Sequence, residues 1–281
     1  MKNFRIFKCF VMAIVMIICG TCYNNVVLAG EKITIDGSTT VGPIAKAFAE
    51  YYMEMNPGVK VSVSESGSGN GAKGLINGAC DIADMSRFMK EEEFKAALDN
   101  KVFPVAQVVA LDGIAVAVHP SNPVAGLTKE QVAAIYIGKI TNWKDLGGAD
   151  RSIVVISRDT NSGTYETFEH LVMNKEKMAQ TVEYVNSNGA TRSRVQSTES
   201  AIGYVGIGFV DKSIKMLAID GVTPSVTTIR SGKYPIARPL FMFTNGYPKM
   251  GSLIYDFVNL YLTEKGHEIV TEIGFVPVTN Y

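Results

Sequence analysis

Short apolar runs with the composition of β-strands alternate with amphipathic helical segments over most of this chain. The run at 153–156, for example, leads through a polar turn into a segment at 165–172 whose apolar residues recur at helical spacing. The same order is found at 33–55 and at 60–76. Strands that alternate with helices predict an α/β protein with largely parallel sheets. Ligands of such sheets lie beyond the carboxyl ends of the strands, so a binding site is expected in the turns there.

One apolar segment is longer than a single strand requires. Residues 105–118 are apolar, with a break predicted at Asp112-Gly113, and the proline-containing loop at 119–123 marks a predicted crossover between two domains. The segment at 235–245 is predicted to return as an extended strand. About 250 residues are enough to form two α/β domains.

Four turns at predicted strand ends carry hydroxyl groups or arginines. In the strongest, Arg158 precedes a Ser162-Gly163-Thr164 turn that opens a helix. The free N–H groups and the dipole of a helix N-terminus favour an anion, and an arginine adds a forked, permanent charge. Helix capping would explain any one of these turns alone, but four at equivalent places predict an oxyanion cradle. The other three are Gly37 to Thr40, Ser66 to Gly69, and Ser86 with Arg87.

The first 30 residues have the pattern of a secretory signal peptide. Three basic residues precede a mostly apolar run at 9–20, and small residues follow around Ala29. We therefore predict an exported, periplasmic protein; a retained anchor and a lipid anchor at Cys22 are the alternatives. Cleavage near Ala29 would leave Cys80 as the one cysteine, so no internal disulfide is expected.

Charge and motif content argue against several classes of function. The chain has 27 basic and 27 acidic residues, and loss of three basic residues with the signal leaves 24 against 27, a net charge of −3. Nucleic-acid binders are basic, so no nucleic-acid partner is predicted. The three histidines lack metal-ligand spacing, and the GxGxxG pattern at 69–74 lacks the later acidic residue of a dinucleotide site. No metal, cofactor or catalytic residue is predicted.

Six segments carry a more specific signal in combination than any of them does alone. They lie at 36–41, 66–69, 81–87, 138–143, 158–164 and 201–204. In this order they resemble the phosphate-binding proteins of ABC-type phosphate uptake systems, the PstS-like family. The resemblance implies a two-lobed type II periplasmic binding protein, α/β in class, in which each lobe is a mixed, mostly parallel sheet flanked by helices. It places the ligand in the cleft between lobe I, at 31–118 plus 238–281, and lobe II, at 119–237.

The resemblance also implies roles for the residues of the cleft. Hydroxyl and backbone N–H groups would donate to a dehydrated phosphate, and Arg158, oriented by Asp159, would pair with two of its oxygens. Some members have an aspartate in place of Ser86. That aspartate accepts the proton of phosphate and so excludes sulfate, which carries none. Asp84, on the same face of a regular strand, is the possible acceptor here. The implied ligand contacts are Ser38, Thr39, Ser68, Ser86, Arg87, Arg158, Ser162, Gly163 and Thr164.

The predicted function is that of an extracytoplasmic solute-binding protein, a monomer that captures inorganic phosphate and delivers it to the permease subunits of an ABC transporter. A binding protein for sulfate or molybdate is the first alternative, and a secreted phosphatase with the same cradle is the second. The chemistry separates them, because capture and release need no covalent step, whereas ester hydrolysis needs a base or a metal-bound water.

Overall fold

The computed structural model describes residues 31–280, and the predicted signal peptide lies outside them. The mixed α/β fold predicted from the sequence is confirmed. The strands are β1 (Lys32–Gly37), β2 (Lys60–Ser64), β3 (Ile82–Met85), β4 (Pro104–Val118), β5 (Gly126–Leu127), β6 (Val154–Arg158), β7 (Glu183–Val185), β8 (Ala201–Gly206), β9 (Lys215–Met216), β10 (Ala218–Ile219) and β11 (Ala237–Asn245).

The helices lie between these strands and after the last of them. They are α1 (Gly42–Met55), α2 (Ser68–Ile76), α3 (Glu91–Asp99), α4 (Lys129–Tyr136), α5 (Gly163–Leu171), α6 (Asn188–Gln196), α7 (Val226–Arg230), α8 (Leu253–Val258) and α9 (Glu264–Glu272), with short 3-10 turns at Trp143–Leu146, Ile207–Phe209 and Leu260–Leu262. None of the described helices has the length and hydropathy needed to cross a membrane.

Nine of the described strands form one mixed sheet in the order β2-β1-β3-β11-β4-β8-β6-β7, with β9 paired to β4. The outer strands are parallel: β1 pairs with β2 and β3, and β6 pairs with β7 and β8. The centre is antiparallel, because β11 and β4 run opposite to each other and to their outer neighbours. Because three antiparallel pairings separate them, the two outer groups of parallel strands run in opposite directions. The carboxyl ends of β3 and β8 both point toward the middle of β4, so the strand-to-helix turns of the two groups face each other there.

Strand β4 corrects the break predicted at Asp112-Gly113, because it runs through this dipeptide without interruption. Asp112 pairs with Arg238, and Gly113 with Ala237, in the antiparallel ladder of β11. A buried carboxylate is tolerated here because Asp112 Oδ2 accepts hydrogen bonds from Arg238 Nε at 3.0 Å and Nη2 at 2.8 Å.

The hydrophobic core is divided into clusters that meet along β4. One large cluster includes Val109 and Ala110 with side chains of α1, α8 and α9. Another includes Ile114 and Val116 with side chains of α4 and α5, among them Phe168. Strand β4 therefore passes from one cluster to the other between Ala110 and Ile114. The two-lobed division given above stays a prediction.

Candidate functional site

The four turns come together at the carboxyl ends of β1, β2, β3 and β6. Ser38 N donates to the carbonyl of Asp84 at 2.8 Å, which joins the first turn to the end of β3. Ser68 Oγ accepts from Ser86 N at 3.1 Å. The fourth turn closes the ring, because a Cβ atom added to Gly163 would lie 2.5 Å from Ser68 Oγ and 2.7 Å from Ser86 Oγ. A residue larger than glycine at position 163 would displace both hydroxyls.

Two serines of the ring accept hydrogen bonds from backbone N–H groups of their own turns. Ser38 Oγ accepts from Thr40 N at 3.1 Å in the turn before α1. Ser162 Oγ accepts from Thr164 N at 3.2 Å and from Tyr165 N at 3.3 Å at the start of α5. Capping uses the lone pairs of a hydroxyl and leaves its hydrogen free to donate. Ser162 can therefore cap α5 and still donate to an anion at the positive end of the helix dipole, and Ser38 can donate in the same way from its turn.

Arg158 brings a positive charge into this interior. Its side chain is 1% exposed, and Nη2 donates to Thr39 Oγ1 at 3.2 Å and to the carbonyl of Asn186 at 3.0 Å. Its Nε and Nη1 have no hydrogen-bond partner among residues 31–280. Burial lowers the pKa of Arg158 to about 10. A buried guanidinium with two unmatched donors is suited to an oxyanion that can accept from both.

Asn188, which the sequence interpretation did not include, organises the hydroxyls of the first turn. Its Nδ2 donates to Thr40 Oγ1 at 2.9 Å and to Thr39 Oγ1 at 3.2 Å, and its Oδ1 accepts from Gly206 N at 3.1 Å. The Thr39 oxygen thus accepts from both Asn188 and Arg158. Because a hydroxyl that accepts still has one hydrogen to give, Thr39 can donate to a ligand.

A second arginine absent from the predicted set holds the ring together. Arg238 Nη2 donates to Thr164 Oγ1 at 2.8 Å, and Nη1 donates to the carbonyl of Ser86 at 2.9 Å. Its counter-charge is Asp112, and the two residues are 6% and 0% exposed. Burial raises the pKa of Asp112 and lowers that of Arg238, in opposition to their mutual attraction. The charge of Arg238 is therefore offset by Asp112, and its role is to position the groups of the cradle. Arg158, by contrast, keeps an unmatched charge.

Two of the predicted site residues have other partners. Asp159 Oδ1 accepts from Asn161 N at 2.9 Å, within its own turn. Arg87 donates from Nη1 and Nη2 to the two carboxylate oxygens of Glu93, each at 2.7 Å. The Arg87 guanidinium therefore already has a carboxylate partner, and its role as a ligand contact stays a prediction.

Asp84 is buried without a hydrogen-bond partner. It is 0% exposed, and neither of its carboxylate oxygens has a partner within residues 31–280. Burial raises its pKa well above the ordinary value, and the charges of Glu65 and Asp36 raise it further. The structure thus favours the neutral acid at this position. The role of Asp84 as a proton acceptor for the ligand stays a prediction.

We expect Asp84→Asn to stabilise the protein more as the pH rises. The folded state binds the proton of the Asp84 carboxyl group more tightly than the unfolded state does. The protonated group therefore contributes its full stabilisation below the unfolded pKa of about 3.9. That stabilisation is lost as the pH rises toward the raised pKa of the folded state. Thermal unfolding at about pH 5 and about pH 8 should show the Tm advantage of the variant growing by about 3 °C or more. Asp145→Asn, the same change at an exposed position, is the control, and equal behaviour of both variants would contradict the expectation.

Comparisons with known proteins agree on one family. The family model described as a PBP superfamily domain matches residues 28–265. The phosphate-binding protein PstS of Bacillus subtilis is 32% identical over 299 residues, covering 100% of this chain and 96% of that protein. Among solved structures, a phosphate ABC transporter substrate-binding protein of Clostridium perfringens with bound phosphate is 34% identical, with a TM-score of 0.82 over 89% of this chain and 100% of that one. An ABC-type phosphate transport receptor of Vibrio cholerae is also 34% identical. Its TM-score is 0.71, over 87% of this chain and 99% of that one.

Proposed function

This chain belongs to the PBP superfamily and, within it, to the PstS family of phosphate-binding proteins, and on that basis we propose that it captures inorganic phosphate outside the cytoplasm and delivers it to an ABC permease. The observation that carries the proposal is the buried guanidinium of Arg158, whose Nε and Nη1 lack partners among the described residues. Two oxygens of a phosphate would accept from them, and its charge would offset that of the arginine. The proposed donors around it are Ser38, Thr39, Ser68, Ser86, Ser162, Gly163 and Thr164.

We propose that the two predicted lobes close over the ligand. Residues of the second and fourth turns already meet, since Asn161 Nδ2 donates to the carbonyl of Ser66 at 2.7 Å and the Asn161 carbonyl accepts from Gly69 N at 3.1 Å. Opening of the cleft would break these two hydrogen bonds, together with those that Arg158 and Asn188 donate to Thr39, and would expose the cradle. Capture and release then require a change of conformation but no covalent step.

Calorimetric titration tests this function on protein that has been unfolded and refolded to remove bound ligand. Phosphate should bind tightly, and an excess of sulfate or molybdate should not displace it, whereas arsenate should compete because it carries a proton as phosphate does. Displacement by sulfate or molybdate would reassign the ligand and keep the cradle. Failure to bind any oxyanion would contradict the proposal, and turnover of a phosphate ester would favour the phosphatase.

A further inference from the structure

The Asn161 side chain lies against two glycines of the second turn, Ser66 to Gly69. A Cβ atom added to Gly67 would lie 2.5 Å from Asn161 Nδ2, and one added to Gly69 would lie 2.4 Å from Asn161 Oδ1. Apart from the adjoining backbone, the three atoms nearest to each of these Cβ positions all belong to Asn161. Gly67 has a φ of 102°, which by itself favours glycine. Gly69 lies in α2 without such a backbone requirement, so the Asn161 amide is the reason for its missing side chain.

The start of α2 takes a hydrogen-bond acceptor from Asn161. The first N–H groups of a helix have no acceptor within the helix, and Gly67, at the N-cap position of α2, supplies no side-chain acceptor. The Gly69 N–H is satisfied instead by the Asn161 carbonyl at 3.1 Å, while Asn161 Nδ2 donates to the carbonyl of Ser66 at 2.7 Å. Asn161 belongs to predicted lobe II and α2 to predicted lobe I, so these contacts exist only while the lobes meet.

We propose that the Asn161 side chain is the latch of the closed cleft: it fits against Gly67 and Gly69 and holds the lobes together without contacting the bound anion. The inference rests on the proposed function and adds a positioning residue that controls affinity through closure. Asn161 directly precedes Ser162, so the latch fixes the fourth turn against the start of α2, where Ser68 lies. An anion first meets the open cleft, and therefore loss of the latch speeds release far more than it slows association.

Gly69→Ala tests the latch because its methyl group meets Asn161 alone. The 2.4 Å contact can be relieved only by a shift of the amide or of the lobes, which weakens the hydrogen bond to Ser66. Calorimetry should show a Kd raised by about tenfold or more. Release of radiolabelled phosphate into an excess of unlabelled phosphate should show the same rise in koff, with kon, the ratio of koff to Kd, within about threefold of the parent.

Gly189→Ala is the matched control. Gly189 is the second residue of α6, as Gly69 is of α2, and outside the adjoining backbone the nearest atom to an added Cβ is Ser187 Oγ at 3.9 Å. The methyl group therefore meets no obstacle there, and Kd and koff should stay within about twofold of the parent.

A rescue experiment separates the latch from any other effect of the methyl group at position 69. Asn161→Ala removes the amide and its hydrogen bond to Ser66, so Kd should rise by roughly threefold to tenfold. In that background the Cβ of an alanine at position 69 lies 3.6 Å from the carbonyl oxygen of residue 161, an ordinary van der Waals contact. Adding Gly69→Ala to Asn161→Ala should therefore change Kd by no more than about twofold, and the two effects should not add.

Two results would overturn the latch: an unchanged Kd in Gly69→Ala, or the same rise in Kd with and without the Asn161 side chain. The Tm of ligand-free Gly69→Ala should equal or exceed that of the parent, because an open cleft leaves room for the methyl group and alanine favours a helix more than glycine does. A lower Tm would assign the contact to the stability of the fold and refute a role in closure. A parent protein that binds no phosphate would refute the proposed function instead.

Discussion

Replacing Arg158 with methionine is expected to reduce phosphate affinity by about a thousandfold, since loss of one partner of a buried charge pair costs about 3–5 kcal/mol and each 1.4 kcal/mol is about tenfold in Kd. The same change should stabilise the protein in the absence of ligand. In the parent protein Arg158 is 1% exposed, and two nitrogens of its guanidinium have no partner among residues 31–280. Burial lowers the pKa of Arg158 to about 10. An apolar side chain of similar length removes that unmatched charge.

Two measurements on each variant, calorimetric affinity and thermal unfolding without ligand, check this expectation. For Arg158→Met the Tm should rise by roughly 5 °C, about 2 kcal/mol for a chain of this size. Arg158→Lys is the matched control: it keeps a charge but loses the fork, so its affinity should fall while its Tm gains less. If Arg158→Met lowered the Tm and left the affinity intact, Arg158 would be a structural residue and not the ligand's counter-charge.

The turns of the cradle could be predicted because their signals are local. Each combines the end of an apolar run with small hydroxyl-bearing residues, and three of the four lead into a helix, as in Ser162-Gly163-Thr164. Within each outer group of the sheet, the parallel order of the strands brings such ends to the same side. The same kind of local pattern identifies Arg87 as a charged residue at a strand end. It does not identify the partner of Arg87, although Glu93 lies only six residues further on. A local pattern identifies an arginine but does not decide between a ligand and a nearby carboxylate.

The pairing of Arg238 with Asp112 could not be predicted from local patterns. The two residues are 126 positions apart, and their contact depends on the register between β4 and β11. The Asp112-Gly113 dipeptide predicts a break because an aspartate and a glycine disfavour a strand. The available signal was a single acidic residue in one long apolar run and a single basic residue in another, since a charge buried in a strand requires a partner.

The second large effect is expected at this buried pair. Asp112→Ala leaves the Arg238 guanidinium buried without its counter-charge, which costs about 3–5 kcal/mol of unfolding free energy, a fall in Tm of about 10 °C. The Asp112 carboxylate also accepts a hydrogen bond from Ile207 N at 2.9 Å, so the substitution leaves this backbone donor without its partner as well. Urea unfolding of the ligand-stripped protein measures the loss.

A compensating double variant separates the charge pair from the rest of this network. Arg238→Met combined with Asp112→Leu should recover most of the stability lost in Asp112→Ala, because two apolar side chains leave no charge to compensate. Phosphate affinity should remain low in the double variant, since Thr164 Oγ1 and the Ser86 carbonyl lose the donor that positions them. Recovery of stability without recovery of binding would assign Arg238 to the geometry of the cradle. Recovery of both would mean that the hydroxyls hold their positions without it, and that Arg158 and the helix N-termini are sufficient to bind the anion.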